Sequence, residues 1–599
     1  MNKIIVLLWL FVMLLKTGVN AQICISHDGS QPDNSAMLEL KSDSLGFLPP
    51  RMKAVEKYNI SNPKPGMIIY NTTTHSLDFL TSKTSNGRPH WTSIDENGIR
   101  KTPAIFQVIY GDTMNDYFKD IIQTSDGGYL AVGTIEKYDT RYIGNSFYYL
   151  TALKLKSDGT PDENFNAYGG DYGNFATHYH NYADGNDYYA DKPTKGETVI
   201  ETENGNYVLG GYFFNASGAG SNTGDFYAVK LTSNGSLDFG GFGPYGHIGF
   251  GALGTSEDQG RCICETFDGG FIFCGMSSNH SYGGGAENAQ IVKLTNYGDL
   301  DNTFNSGEGN IVFSTDAKDI FEAVIQTSDS SYFAVGQSNV KYLFVVKLKP
   351  DGTLDPSFNG NGRLNLADTT IEGDIYRDIY ASDLKETPDG KLLICGDCAH
   401  VPGQYSIRNA FVLRITKTGT IDTTFANKGT AVFGAPNNAN YSTYAYSIDV
   451  TRDSGFVIAG RINSYIWNGN ETNNCNAFVA KYLKNGTLDS TFAYNGKIVI
   501  GTDTTKDIAS SVHQTREGGY IIAGSTTMMQ SNGNSSGFIA KISPNGEVCA
   551  NGKDAGVPHS GIFLKILTSQ TTITHGGTII NSTPVNVHKG SLSTACNQQ

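Results

Sequence analysis

The segment 166–196, NAYGGDYGNFATHYHNYADGNDYYADKPTKG, carries the side chains best suited to chemistry. His178, His180 and Asp184 offer the imidazole and carboxylate ligands that zinc takes. Asp184 and Asp187 offer oxygen ligands of the kind that calcium takes. Neither spacing matches a recognised metal motif, and the alternative is a plain loop in which Asp and Asn make turns. A metal site, with calcium as the candidate cofactor, therefore stands as a hypothesis beside that alternative.

Aromatic side chains recur in the longest connections of the chain. Such residues can stack on sugar rings or grip a protein surface, and loops are the usual position of binding residues. The alternative is that they pack over the edges of neighbouring strands. The candidate ligand-binding residues are Tyr172, Tyr182, Tyr282, Tyr405, Tyr465 and Trp467.

Motifs of known catalytic classes are missing from the sequence. It contains no H-E-x-x-H and no P-loop, and its one G-x-S-x-G match, residues 533–537, precedes a strand pattern and not the helix of a nucleophile elbow. Its Ser-Asp-Gly-Gly turns are similar to the Asp-box of sialidases, but they lack its full spacing. Residues 395–398 match C-x-x-C without a following helix, which argues against a redox motif. The sequence therefore favours a non-catalytic protein.

A unit that recurs seven times between residues 105 and 550 organises the rest of the chain. In each copy a Thr stands nine residues before a Gly, and the steps between these glycines are 78, 64, 61, 60, 64 and 64 residues. Such a period is the signature of a repeat architecture. The Thr residues are Thr124, Thr202, Thr266, Thr327, Thr387, Thr451 and Thr515, and the Gly residues are Gly133, Gly211, Gly275, Gly336, Gly396, Gly460 and Gly524.

The first half of each copy predicts a hairpin of two strands, A and B. Several copies place Asp-Gly or Asn-Gly between the strands, which supplies the positive φ that short hairpin turns need. The Thr before the turn is expected to hydrogen-bond locally. The Gly at the end of strand B indicates a close backbone approach or a bulge.

The second half of each copy predicts strands C and D. Strand C carries one basic residue, and six copies continue with an acidic residue in a Leu-Asp-x-x-Phe type motif. Since such residues occur once per copy, structural ion pairs are favoured over a ring of binding residues. The basic residues are Lys154, Lys230, Lys293, Lys347, Arg414, Lys481 and Lys541, and the acidic residues are Asp162, Asp238, Asp301, Asp355, Asp422 and Asp489.

Four antiparallel strands in each of seven copies predict an all-β protein, a seven-bladed β-propeller of four-stranded antiparallel blades. Copy seven has no clear strand D, whereas the run 105–110, IFQVIY, precedes copy one without a partner. We expect this N-terminal strand to complete blade seven and close the ring, because closure removes exposed sheet edges.

At these motifs the sequence resembles the bacterial delta-60 repeat. The Asp-Gly hairpin, the basic residue on strand C and N-G-x-L-D-x-x-F-x-x-x-G carry the resemblance over roughly residues 105–550. It implies a propeller-like fold and does not imply an activity. Copy one has Pro161 in place of the Leu, and copy seven has Val548-Cys549 and no Phe.

The remaining segments suggest export. Residues 1–21 have a basic start, an apolar core and a cleavage site before Gln22, as in a signal peptide. Residues 22–100 form a small module that resembles one found near the N-termini of many bacterial surface proteins. Residues 551–599 form an appendage rich in Thr, Ser and Gly. No later run is long and apolar enough to span a membrane.

Nine cysteines are an odd number for an exported chain. Cys549 and Cys596 bracket the tail and are the favoured disulfide pair. Cys264 and Cys274 lie on paired strands and are a second candidate pair if the register allows it. Cys274 and Cys395, each just before a strand-B Gly, are expected to be small buried residues.

A formal net charge of −14 argues against nucleic acid as a partner. The long B–C and D–A connections share one end of the blades, and insertions on one face often mark the binding face. The leading hypothesis is a secreted or cell-surface propeller that binds a glycan or a protein there. The alternatives are a glycan-acting hydrolase or lyase and a purely structural surface component.

Overall fold

The computed structural model describes residues 23–26, 38–41, 47–52, 60, 64–72, 76–83, 89–94, 100–101, 106–111, 114–138, 146–166, 174–177, 179–180, 191–214, 224–243, 245–250, 257–278, 287–313, 318–339, 342–366, 369–371, 374–400, 407–434, 441–467, 470–471, 475–493, 495–501, 505–527, 534–546, 571–573 and 579–580. The chain divides into two compact units, Met1–Thr102 and Pro103–Gln599. We describe each unit by itself and call the second the repeat unit.

The described part of the first unit consists of short strands. They are β1 (Ile23–Ser26), β2 (Leu38–Lys41), β3 (Arg51–Met52), β4 (Ile68–Asn71), β5 (Ser76–Lys83), β6 (Pro89–Ile94) and β7 (Arg100–Lys101). β1 and β2 pair in parallel, and β3 to β7 form one sheet in sequence order. β4 and β5 pair antiparallel.

The described part of the repeat unit is also built of strands, apart from one 3-10 turn at Asn305–Gly307. Its first half contains β8 (Phe106–Tyr110), β9 (Tyr117–Gln123), β10 (Tyr129–Tyr138), β11 (Ser146–Leu155), β12 (Asn174–Thr177), β13 (Tyr179–His180), β14 (Asp191–Lys192), β15 (Thr194–Glu201), β16 (Tyr207–Phe214), β17 (Gly224–Leu231), β18 (His247–Phe250), β19 (Glu257–Glu265), β20 (Phe271–Ser278), β21 (Glu287–Leu294), β22 (Asn310–Phe313), β23 (Ile320–Gln326), β24 (Tyr332–Ser338), β25 (Tyr342–Leu348) and β26 (Arg363–Leu366).

Its second half contains β27 (Thr369–Ile371), β28 (Asp374–Glu386), β29 (Leu392–His400), β30 (Ile407–Ile415), β31 (Thr430–Phe433), β32 (Tyr441–Val450), β33 (Phe456–Trp467), β34 (Asn470–Glu471), β35 (Asn476–Tyr482), β36 (Lys497–Ile500), β37 (Asp507–Gln514), β38 (Tyr520–Thr526), β39 (Ser536–Ile542), β40 (Thr571–Ile573) and β41 (Ile579–Ile580). Strand A of repeats 1 to 7 is β9, β15, β19, β23, β28, β32 and β37.

The repeats form four-stranded antiparallel sheets in the order A-B-C-D. In repeat 7 the fourth strand is β8, which pairs antiparallel with β39, as we expected for residues 105–110. β40 of the C-terminal tail then pairs in parallel with β8.

Part of the segment 166–196 forms strands. It contains β12, which pairs with β11 as the fourth strand of repeat 1, and the small hairpin of β13 and β14.

The A–B turns have the local hydrogen bonds that the sequence predicts. In six repeats the Thr hydroxyl donates to the side chain of the Asp or Asn two residues later, as from Thr124 to Asp126 at 2.6 Å. The backbone N–H of Gly127 then donates to the Thr124 carbonyl at 2.9 Å and closes the turn. This glycine has φ +85°, a conformation that a residue with a side chain rarely adopts.

A β-bulge interrupts the pairing of strands A and B in every repeat. In repeat 3, Gly260 lies opposite Gly275 and Cys262 opposite Cys274, so Arg261 has no partner across the ladder. The recurring strand-B glycine lies beside this bulge. A Cβ atom on Gly275 would collide with the carbonyl oxygen of Gln259, and the other six strand-B glycines face a strand-A carbonyl in the same way. The predicted bulge is therefore confirmed, and it explains the glycine.

The basic residue on strand C is buried in an ion pair, as predicted. In repeats 1 to 6 it contacts the acidic residue of the Leu-Asp-x-x-Phe segment at 2.7–4.0 Å. Lys481, 1% exposed, bridges Asp489 at 2.8 Å and Asp453 of the A–B turn at 2.7 Å. Repeat 7 has no such acidic residue, and there Lys541 pairs with Glu517 at 3.6 Å.

A phenylalanine joins each repeat to the next. It lies under the glycine of the following C–D turn, where a Cβ atom would strike the ring or the adjoining backbone. Each of these glycines has φ between +81° and +89°. The pairs are Phe165 with Gly235, Phe242 with Gly298, Phe304 with Gly352, Phe358 with Gly419, Phe425 with Gly486, Phe492 with Gly546, and Phe106 with Gly159.

A side chain of one repeat also caps the A–B turn of the preceding repeat. The residue before the recurring Thr accepts a hydrogen bond at 2.6–3.0 Å from the backbone N–H that follows the neighbouring Thr. The donor and acceptor pairs are Ser125 with Glu201, Glu203 with Glu265, Phe267 with Gln326, Ser328 with Glu386, Arg452 with Gln514, and Arg516 with Gln123. Where repeat 5 offers Pro388, which has no N–H, repeat 6 has Val450, which has no acceptor.

Strand A of each repeat contacts strand A of the next. The contacts run in the order β9, β15, β19, β23, β28, β32 and β37, and β37 in turn contacts β9. The hydrophobic clusters also join neighbouring sheets, as in the one that combines Ile109, Val457 and Ile522. The core of this unit therefore lies between the sheets.

The turn register corrects one cysteine expectation. Cys264 lies opposite Ile272, and it is Cys262 that lies opposite Cys274. Cys274 and Cys395 are buried, as predicted. Cys549 and Cys596 lie outside the described residues.

Candidate functional site

Residues from all seven strand-A segments line a cavity of about 970 Å³. Every repeat contributes its bulged residue, which stands five positions before the recurring Thr, to the lining of this cavity. We call these seven residues the bulge ring: Lys119, Glu197, Arg261, Glu322, Ser382, Tyr446 and Ser510. Because a bulge turns a side chain away from the ladder, one recurring irregularity supplies all seven.

Repeats 1 to 4 contribute alternating charges to the bulge ring. The Lys119 Nζ lies 3.5 Å from a Glu197 carboxylate oxygen. Arg261 lies 3.9 Å from Glu197 and 4.0 Å from Glu322. Burial raises the pKa of Glu322, although Arg261 opposes this shift. Burial alone would lower the pKa of Arg261, but Glu322 and Glu197 raise it, so the guanidinium stays charged.

Repeats 5 to 7 contribute uncharged groups to the same ring. Ser382 and Ser510 bring hydroxyls, and Tyr446 brings a half-buried aromatic ring. The ring of Tyr446 stacks on that of Tyr444 with 6.3 Å between centroids. Within the bulge ring, one side is therefore ionic and the other is aromatic and hydroxylic.

A second group of ionisable residues lies nearer the A–B turns. His513 lies between two carboxylates, with Nε2 3.7 Å from Asp120 and Nδ1 3.9 Å from Asp449. Asp120 also accepts hydrogen bonds from the Val199 N–H at 3.0 Å and the Ser511 hydroxyl at 2.8 Å. Burial favours the neutral ring of His513, but the neighbouring carboxylates of Asp120 and Asp449 outweigh burial and raise its pKa. Burial would likewise raise the pKa of Asp120, yet His513 lowers it.

Lys385 and Asp383 form the neighbouring pair on this level. Their charged groups are 3.1 Å apart, and Asp383 accepts a further hydrogen bond from the Ile448 N–H at 3.0 Å. Burial would lower the pKa of Lys385, but Asp383 and Asp449 raise it, so the ammonium group stays charged. The ionic groups of both levels are thus largely neutralised by one another.

Tyrosines lie beyond the bulge ring, toward the end of the sheets that carries the B–C and D–A connections. Tyr117, Tyr212 and Tyr380 line the cavity there. Arg408 lies 4.1 Å from the Tyr380 ring centre, and Lys195 lies 5.9 Å from that of Tyr212. Such cation–aromatic contacts hold the rings in place beside the cavity.

The candidates from the sequence lie almost wholly outside the described residues. This holds for Tyr172, Tyr182, Tyr282, Tyr405, His178, Asp184 and Asp187. The backbone of Tyr465 and Trp467 belongs to β33, where Trp467 pairs with Asn470. The backbone of His180 belongs to β13 and pairs with Asp191. The proposed binding and metal residues therefore stay predictions.

The bulge ring was not identified from the sequence, although a signal for it exists. Its members share one offset from the recurring Thr, and their types differ from repeat to repeat, unlike the turn and ion-pair residues. A variable residue at a fixed place beside an invariant glycine is the pattern that would have found them.

Two absences hold within the described part of the chain. No group of three or more His, Cys, Asp or Glu residues there has the arrangement of a metal site. Among the same residues, no helix is both long and apolar enough to cross a membrane.

Two family models match parts of the chain. Residues 25–102 match a phage tail like trimerisation region. Residues 202–238, 328–358 and 387–425 match "Domain of unknown function (DUF5122) beta-propeller". These matches support a propeller-type repeat protein. No curated protein matches the chain.

Solved structures that are similar to this chain show low identity. A sialidase from Trypanosoma rangeli is 12% identical with a TM-score of 0.32, over 75% of this chain and 56% of that one. The polysaccharide lyase Uly1 is 11% identical with a TM-score of 0.31, over 83% and 97%. An endo-1,5-alpha-L-arabinanase from Thermotoga petrophila is 12% identical with a TM-score of 0.25, over 74% and 100%. The chain thus spans just over half the length of the sialidase.

Proposed function

We propose that the chain is an exported, seven-bladed β-propeller that binds a saccharide without cleaving it. The ligand site is the part of the central cavity from the bulge ring to the end that carries the tyrosines and the long connections. The single observation behind this proposal is that the bulge ring and these tyrosines line one cavity.

Three contacts support a ring closed between repeats 7 and 1. The strand β8 pairs with β39 and so supplies repeat 7 with strand D. The hydrogen bond from the Arg516 N–H to Gln123, at 2.6 Å, is of the same kind as those between other neighbours. The strand-A segments β37 and β9 contact each other like every adjacent pair. Closure would leave no unpaired inner edge.

The chemistry of the cavity supports a neutral saccharide. Its carboxylates and cations are already paired, so a strongly charged ligand would have to break a pair. The same groups still offer donors and acceptors to hydroxyls, and tyrosine rings offer stacking surfaces. The volume, about 970 Å³, lies at the upper end of the roughly 300–1,000 Å³ typical of small-molecule sites.

The location and assembly are part of the same proposal. The start of the sequence, with its basic and apolar segments, favours export followed by display at the cell surface. The match of residues 25–102 to a trimerisation region favours association of several copies through that unit. Several copies would present several cavities, which strengthens binding to a polymeric glycan through multivalency.

A glycan array followed by calorimetry tests the ligand. The array carries neutral, uronate-containing and sialylated oligosaccharides, and we expect the neutral ones to bind. Tyr446→Ala should weaken binding at least tenfold, because it removes a stacking ring. Tyr297→Ala is the matched control, since this tyrosine is 61% exposed in a C–D turn at the opposite end. Equal effects of the two substitutions, or no bound glycan at all, would contradict the proposal.

A glycan-acting hydrolase or lyase is the second candidate. One observation favours it: Glu322, with a pKa raised by burial, shares the cavity with a second carboxylate, Glu197. Hydrolysis of a glycoside needs such a pair, one member as acid and the other as base or nucleophile. Mass analysis of oligosaccharides after incubation separates the candidates. Cleavage that Glu322→Gln abolishes would favour the enzyme, and intact oligosaccharides favour binding alone.

A further inference from the structure

One residue pair recurs at the same register in all seven repeats. It joins the strand-A residue that follows the bulge to the strand-B residue that precedes the glycine. The pairs are Asp120–Val132, Thr198–Gly210, Cys262–Cys274, Ala323–Val335, Asp383–Cys395, Ser447–Ala459 and Ser511–Ala523. Repeat 3 is the repeat in which both residues are cysteines.

The geometry of this position suits a disulfide. Residues directly opposite each other in an antiparallel pair have Cα atoms about 4.5–5.5 Å apart. Disulfides join Cα atoms that are about 4.4–6.8 Å apart. Residues directly opposite each other also project to the same face of the sheet, so both thiols lie on one side of the ladder. A bond between the sulfurs therefore needs no change of register.

The two thiols differ in their surroundings. Cys262 lines the central cavity, whereas Cys274 is fully buried in the core between repeats 3 and 4. Contact with Cys274 lowers the pKa of the Cys262 thiol, and burial raises the pKa of the Cys274 thiol. Cys262 is therefore the member of the pair nearer to a reagent in the cavity, and its thiol is also the more readily ionised of the two.

We propose that Cys262 and Cys274 form a thiol–disulfide site that reacts with a small-molecule disulfide. The Cys262 thiolate attacks one sulfur of that disulfide, forms a mixed disulfide and releases one small thiolate. Cys274 loses its proton and attacks the Cys262 sulfur, and the second small thiolate leaves. The pair has then lost two electrons and two protons, and the small disulfide has become two thiols.

The closed disulfide would fix the bulge that carries Arg261. That residue directly precedes Cys262 and belongs to the bulge ring. Oxidation would thus tie the strand-A and strand-B backbones together at the cavity wall. This inference does not depend on the ligand, because it concerns two residues of the ladder and not the saccharide.

Thiol mapping of the full chain tests the proposal. The protein is reduced, freed of reductant, exposed to oxidised glutathione, alkylated and digested for mass analysis. We expect the peptides that contain Cys262 and Cys274 to be linked and to separate after reduction. Cys264, opposite Ile272, and Cys395, opposite Asp383, serve as internal controls and should stay alkylated. Cys264 lies two residues after Cys262 on the same strand. Cys395 holds in repeat 5 the position that Cys274 holds in repeat 3.

Single cysteine-to-serine variants identify which thiols form the link. Cys264→Ser and Cys395→Ser should leave the linked peptide unchanged, and Cys262→Ser should abolish it. If Cys262→Ser does not fold, the mapping of the unmodified chain still decides. Free thiols at both Cys262 and Cys274 after oxidation, or a link from Cys274 to Cys264, would overturn the proposal.

Discussion

Phe106 packs against Tyr129, with 5.6 Å between ring centroids, and lies under Gly159 of the first C–D turn. In the other repeats the same place is filled by the phenylalanine of the preceding repeat, as Phe165 packs on Tyr207 at 6.1 Å. Repeat 7 has no such phenylalanine of its own. Phe106 therefore takes the place of the phenylalanine that repeat 7 lacks. It lies on β8, the strand that also completes the sheet of repeat 7.

Phe106→Ala should destabilise the whole repeat unit, because it empties the contact between repeats 7 and 1. Truncation of a buried Phe costs about 3–5 kcal/mol of unfolding free energy. Phe239→Ala is the control, since Phe239 is 69% exposed and its loss should change stability by less than about 0.5 kcal/mol. Denaturant unfolding measures both, and similar midpoints for the two variants would contradict a structural role for Phe106.

Each side chain that caps the A–B turn of the preceding repeat should contribute measurably to the free energy of unfolding. Gln326→Leu removes the acceptor for the Phe267 N–H at 2.7 Å and should cost about 0.5–1.5 kcal/mol. Val450→Gln should gain nothing, because Pro388 opposite it has no N–H to donate. Adding Pro388→Ser to Val450→Gln restores a donor, so a double-mutant cycle should show favourable coupling. Absence of coupling would mean that these caps do not contribute to stability.

The buried basic side chain of strand C should be needed for stability. Lys481→Met leaves Asp489, which is 2% exposed, without its counter-charge, and breaking a buried pair costs about 3–5 kcal/mol. Lys484→Met is the matched control three residues later. Its side chain is 57% exposed and pairs with Asp389 at 3.6 Å, so its loss should cost under about 1 kcal/mol. Thermal and denaturant unfolding of the two variants should therefore differ clearly; comparable losses would disprove the distinction.

His513 should make stability depend on pH near neutrality. Its pKa is raised in the folded protein, so its stabilising contribution is complete below its unfolded pKa of about 6.5. That contribution is lost as the pH rises through the folded pKa. The groups that face the ring are Asp120 and Asp449, with Lys385 opposing them. We expect the unfolding free energy to fall over this pH range, and His513→Gln to remove that part of the slope.

The comparison of the unmodified chain with His513→Gln is the test, since the difference between their pH profiles isolates this residue. NMR titration of the ring should show a pKa above that of an exposed histidine. Asp120→Asn removes one carboxylate and should lower that pKa. Identical pH profiles with and without His513 would refute the prediction.

Sequence reasoning recovered the features that recur unchanged. The turns at Asp126-Gly127, the ion pair of Lys481 and the bulge beside Gly275 follow from residue types whose chemistry has one solution at that place. The partner of β8 could also be expected, because repeat 7 lacks a strand and residues 105–110 lack a partner.

The candidate site could not be recovered in the same way. Its residues share a position and not a type: Lys119, Glu322 and Ser510 look unrelated until the bulge places them around one cavity. The sequence favours tyrosines and histidines in the connections, because loops commonly carry function. The cysteine pairing depends on the register of the A–B turn. The short turn sets Glu265 opposite Phe271, and counting back from there leads to Cys262 and not to Cys264.

The bulged residues line the cavity but take no part in the pairing of strands A and B. A bulged side chain has no neighbour directly across the ladder, so its exchange leaves the pairing of strands A and B intact. Seven such places hold five kinds of side chain, and each of them can be exchanged singly. A point substitution at one of these places would thus change a group that faces the cavity without changing the ladder that holds the repeat together.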